Sequence, residues 1–169
     1  MKKSHSVLLW IIAACLLRGL VKDLRTLSDL ASSDEYFVFA RGGHLDLLYT
    51  LMCAALLLGA ASVYFIYRPR PEGLWICAAA LFNAVIYDLC YGYYALADLP
   101  GLRRVYLAGR AARGLSTDAA QADQVFSAQG MQVLMGAGCL IGVAGLAVLW
   151  VTRRHFLSAA SLGQRDAAP

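Results

Sequence analysis

Three ionisable side chains fall inside apolar stretches of this chain: Arg18, Asp46 and Asp88. A charge in hydrocarbon is expensive, so such residues mark ion pairs, substrate paths or binding sites. At 1.5 Å per helical residue, Arg18 lies about 16 Å into the first stretch and Asp88 about 21 Å into the third. Asp46 sits in the first turn of the second. Successive stretches run in opposite directions, so all three are expected in the same half of a membrane, the outer one. The simplest chemistry for them is an ion pair between Arg18 and Asp88 or Asp46.

Polar neighbours extend the group. Asn83, Tyr87, Tyr91 and Tyr94 recur at spacings of four, four and three, which puts them on one helix face. Asp88 lies beside that face, in register with Tyr91. Tyr49 follows Asp46 by three residues, His44 precedes it, and Gln132 opens the last stretch at the same level. Arg18, His44, Asp46, Tyr49, Asn83, Tyr87, Asp88, Tyr91 and Gln132 are therefore the candidate lining of a polar, tyrosine-rich cavity open to the outer leaflet. A lipid head group, a sterol-like molecule or an ion would suit it. The competing expectation is a cluster that only holds helices together. Catalysis by Asp88 or His44 is the weaker alternative, because it needs an acid whose pKa is raised by burial. His5 and His155 belong to the opposite side, so His44 has no second histidine within reach and no metal site is expected. No cofactor is implied.

The elements that must position these residues are membrane spans. Apolar residues make up 60% of the 169 and charged ones 15%, against about 45–50% and about 25% in soluble domains. Long apolar blocks cover residues 6–24, 45–67, 74–96 and 131–151, and a span needs about 20 residues. The expected fold is all-α: one integral membrane domain over 1–157, a four-helix bundle, with a disordered cytoplasmic tail at 158–169. The net charge of +4 is spread along the chain, and no nucleic-acid-binding signature is present.

Lysines and arginines near span ends set orientation. Lys2, Lys3, Arg68, Arg70, Arg153 and Arg154 crowd short flanks on one side. On the other side the arginines share two longer loops with seven acids. Both termini are expected in the cytoplasm, in the manner of a multi-pass protein of a bacterial inner membrane. The outer loops should carry short interfacial helices near 22–31 and 101–114. Between them, Tyr36–Phe37–Val38–Phe39 should form an aromatic patch at the membrane surface. Ser116–Thr117–Asp118 is a cap signal for a helix running into the fourth span.

Gly138 and Gly142, four apart, allow close helix approach, with Ala55 and Gly59 as a possible counterpart. Ile12–Ala13–Ala14–Cys15 has the form of a lipobox, but the sequence after Cys15 stays apolar, so an uncleaved helix is preferred. The cysteines, 15, 53, 77, 90 and 139, lie in apolar blocks without a C-x-x-C. That excludes the paired outer thiols of membrane disulfide and vitamin K epoxide reductases. In layout the chain is similar to EXPERA-domain proteins, whose intramembrane acids Asp46 and Asp88 would parallel. No motif aligns, and no family follows from the sequence.

The functional expectation is a non-enzymatic multi-pass protein that binds a membrane lipid, a lipid-like ligand or a partner membrane protein. An oligomeric transporter or channel subunit, a lipid isomerase-like enzyme and a membrane immunity protein are the alternatives.

Overall fold

A computed structural model describes residues 3–116 and 118–157, with side chains from Val7 onward. It is all-helical among the described residues. The elements are α1 (Lys3–Ser28), α2 (Asp34–Arg41), α3 (Leu45–Tyr67), α4 (Pro71–Ala95), α5 (Leu99–Ala112), α6 (Ala119–Val125) and α7 (Ala128–Thr152). A single 3-10 turn, Leu30–Ser32, separates α1 from α2. The expected tail at 158–169 and Thr117 of the cap signal lie outside the described residues.

Three helices, α3, α4 and α7, are long and apolar enough to cross a membrane. Local chemistry fixes their ends. Pro71 opens α4 at a position where its missing N–H costs nothing. Ser127 caps α7 by accepting from the Gly130 amide at 2.9 Å. Helix α1 packs along α3, α3 along α4, and α4 along α7, with a lighter contact between α7 and α1.

The long helices have two different ends. At the hairpin end, Leu9, Ala13, Ile66, Cys77, Leu149 and Phe156 form one buried cluster. There the His155 ring donates to the Ile66 carbonyl at 3.0 Å. At the other end α2, α5 and α6 form a cap. Val38, Phe39, Leu48, Met52, Ala95, Leu102 and Met131 are buried beneath it.

The cap departs from the sequence expectation in three places. The amphipathic segment near 22–31 is no separate helix; α1 continues through it to Ser28. The run Tyr36–Phe39 is part of α2, and its Val38 and Phe39 are buried in the core instead of forming a surface patch. The helix opened by Asp118, whose carboxylate accepts from the Ala120 amide at 2.9 Å, stops at Val125. Helix α7 begins only after Ser127. The segment expected at 101–114 is α5, begun by Asp98, which accepts from the Gly101 amide at 2.9 Å.

Glycines make the closest helix contacts. A Cβ at Gly142 would overlap Val85 Cγ2, one at Gly145 would lie 2.9 Å from Leu81 Cδ1, and one at Gly138 would lie 2.6 Å from Asp88 Oδ2. Gly92 returns the favour by receiving Met135. The Gly138–Gly142 groove thus seats α4, not the Ala55–Gly59 face. Gly59 instead seats Leu20 of α1, with 3.1 Å between a Cβ there and Leu20 Cδ2. Helices α3 and α4 are joined by Asn83, which donates to the Leu51 carbonyl at 3.1 Å in a buried position. Asn83→Leu should cost about 1 kcal/mol, in the range of interhelical hydrogen bonds in membranes. Unfolding of the purified protein in bicelles would measure it.

Candidate functional site

A cleft of about 240 Å³ opens beneath the cap. Helix α1 contributes Lys22, α2 contributes Asp34 and Glu35, and α4 contributes Tyr87, Asp88 and Tyr91. Tyr106 of α5 and Phe126 after α6 form the roof, their rings 4.9 Å apart. Met131 and Leu134 of α7 complete the wall. Leu134 is exposed, so the cleft opens sideways toward the outside of the helices.

Ser33 starts α2 by accepting from the Tyr36 amide at 3.0 Å, and two acids in the first turn suit the helix dipole. That start aims Asp34 at α4, where the Tyr91 hydroxyl donates to Asp34 Oδ2 at 3.0 Å. Glu35 is buried, and its Oε1 lies 3.5 Å from Lys22 Nζ. Burial pushes the Glu35 carboxyl above its ordinary value. The neighbouring Asp34 carboxylate adds to the rise and Lys22 opposes it. Asp88 reaches across to α7 at Gly138. Three carboxyl groups therefore line one cleft with one ammonium, which Glu35 alone meets at ion-pair distance, inside a frame of aromatic rings.

Of the residues singled out in the sequence, the structure gathers Tyr87, Asp88 and Tyr91 in this cleft. The others lie elsewhere. Asn83 is committed to α3. His44 stacks on Tyr94, ring centres 4.8 Å apart. Asp46 and Tyr49 are exposed on the first turns of α3, and Gln132 is exposed on α7.

Arg18 does not meet Asp88 or Asp46. It is exposed on the far side of α1 and has no ion pair among the described residues. The basic residue that shares the cleft with Asp88 is Lys22, one turn later. The physical reason is rotation. Leu20 faces α3, and a step of two residues along a helix turns about 200°.

Sequence reasoning missed Asp34, Glu35 and Tyr106 because they lie beyond the apolar blocks, and Lys22 because it closes the first of them, where it reads as a loop charge. One signal was present: Ser33 followed by two acids and a hydrophobic pair has the form of a capped helix that must bury one face.

Comparison with protein-family models, with curated proteins and with solved structures gives no match.

Proposed function

We propose that the chain is a four-span membrane protein with both termini in the cytoplasm, and that its cleft binds the cationic head of an amphiphile from the outer leaflet. In this reading α1 is the fourth span. Its apolar run and its packing along α3 and α7 support that, as do the basic flanks at the hairpin end.

The observation that carries the ligand reading is one cleft lined by Asp34, Glu35 and Asp88 with Lys22 as its lining ammonium, within an aromatic wall. The site holds more negative than positive charge. Tyrosine and phenylalanine faces attract quaternary ammonium and amine groups. The volume takes a head group and not an acyl chain, and the open side at Leu134 would let the chain remain in lipid. No step of bond making is needed, so the reading is non-enzymatic.

The test uses purified protein in nanodiscs, a dansyl-labelled alkyltrimethylammonium and an alkyl sulfate of equal length. Saturable binding of the cation alone is expected. Asp34→Asn keeps an acceptor for Tyr91 and should weaken binding about tenfold, the value of one charge-assisted contact. Equal uptake of the cationic and anionic probes would sink the reading.

A pH dependence follows from Glu35. Its folded pKa is raised above 4.5, so the folded state holds a proton that the unfolded chain would release. The stability contributed by that proton is present below 4.5 and is lost as pH rises through the raised value. The same ionisation adds a negative charge to the cleft. Cation binding should therefore tighten as pH rises through that window while stability falls. Titrations of the wild type and of Glu35→Gln should differ, the variant losing the part of both trends that Glu35 carries.

A further inference from the structure

Arg18 has no task in the cleft, and its surroundings give it another. Leu20 packs on Gly59, which lies about 21 Å along α3 from Leu45 and about 12 Å from Tyr67 at 1.5 Å per residue. Arg18, two residues earlier on a helix antiparallel to α3, is therefore about 9 Å from the level of Tyr67, in the inner half and not the outer one, and it is exposed. Val7, Ile11, Ala14, Arg18 and Val21 are all exposed and recur at spacings of four, three, four and three. That is the seam by which one helix packs along another. A small residue, Ala14, sits one turn before the arginine.

We propose that this face of α1 docks a transmembrane helix of a different protein, one that carries a carboxylate inside the membrane at the level of Arg18. The proposal rests on the reading of α1 as a span. Charge selects the partner. A second copy inserted in the same orientation would bring its own Arg18 to the same depth, and like charges would face each other. Nor do the described residues of a copy offer an acid at that level. Asp46 and Glu72 lie in the first turns of α3 and α4, at opposite ends. Asp88 is engaged against α7. Asp23 follows Arg18 by five residues, well over one turn along α1 and away from the seam.

The full-length protein would be reconstituted in phosphatidylcholine vesicles with dansyl-labelled polyleucine helices of about 20 residues. One helix has an Asp about six residues from one end, to match the level of Arg18, one an Asn there, and one only Leu. Energy transfer from Trp10, which is exposed on α1 two turns before Arg18, reports docking at this face; Trp10→Phe subtracts the other tryptophans. The Asp helix should associate at about tenfold lower concentration than the Leu helix. Arg18→Leu should abolish that preference and Arg18→Lys should retain it. Equal transfer for all three helices would overturn the proposal and leave Arg18 to lipid phosphate. The span reading is checked separately with Lys3→Cys and Ser28→Cys and a membrane-impermeant maleimide. Labelling from opposite faces together with no Asp preference refutes the docking alone. Labelling from one face refutes both.

Discussion

Gly142→Leu is expected to force α7 away from α4 and to lower the free energy of unfolding by about 3 kcal/mol, the upper range for overpacking. A single Cβ at Gly142 already overlaps Val85 Cγ2. The neighbour is a β-branched side chain in a helix, with one strongly preferred rotamer, so it cannot swing aside cheaply. Helix α7 also has few alternatives. Only a narrow stripe of it is buried, comprising Met131, Gly142, Leu149 and Thr152. Steric trapping of the purified protein in bicelles would give the number. Gly142→Ala should be milder and should recover when paired with Val85→Ala, which removes the clashing methyl. Gly136→Leu is the internal control, because a side chain there meets nothing within 4 Å. Equal losses at positions 136 and 142 would mean that α7 is not seated on α4 by its glycines.

The glycine pattern shows which information a sequence holds. Gly138-x-x-x-Gly142 announces a close approach, because without a Cβ the helix surface is notched. It does not say which helix enters. A notch accepts any branched knob at the right spacing, and Leu81, Val85 and Asp88 of α4 supply three. Span limits were legible for a related reason. Residues 45–67 coincide with α3, and the blocks at 74–96 and 131–151 fall within about three residues of α4 and α7, since apolar length reports directly on burial in lipid. The end of α1 was not legible. Lys22, Asp23 and Arg25 close the apolar run, yet they do not oppose a helix, and Leu27 and Leu30 still pack against the capped core.

The same distinction governs the site. Tyr87 and Tyr91 could be grouped from helical spacing alone, because one helix sets their relation. Asp34 and Glu35 come from a segment whose position depends on the 3-10 turn at Leu30–Ser32 and on Phe39 finding its pocket. Depth misled the Arg18 pairing. Counting from Ser6 assumed that the membrane begins there, while the contact of Leu20 with Gly59 sets a different level. Rotation then leaves Arg18 without an ion pair among the described residues.

Phe39→Ala should have the largest effect on the cleft itself. The ring is fully buried. It stacks on Tyr87 at 6.2 Å and meets the edge of Tyr94 at 5.5 Å, so it joins α2 to the polar face of α4. Truncating a core phenylalanine typically costs about 3–5 kcal/mol. Here the loss falls on a short helix with few other ties: Val38 in the same core and Phe37 packed against it, the Tyr91 hydroxyl donating to Asp34 at 3.0 Å, the Arg41–Asp98 ion pair at 3.1 Å and the Lys22–Glu35 contact at 3.5 Å. The two ion pairs have exposed basic partners and contribute little. Helix α2 should therefore loosen while α3, α4 and α7 stay helical, since none of their mutual contacts involves Phe39. Asp34 would leave Tyr91, Glu35 would leave its burial, and the carboxyl cluster would disperse. Hydrogen exchange should accelerate across Asp34–Arg41, and binding of the alkyltrimethylammonium probe should disappear, whereas Tyr36→Ala, at a half-buried position, should leave both close to wild type. A Phe39→Ala protein that exchanges fast in α2 yet binds the probe unchanged would separate the cleft from the cap and assign binding to α4 and α7 alone.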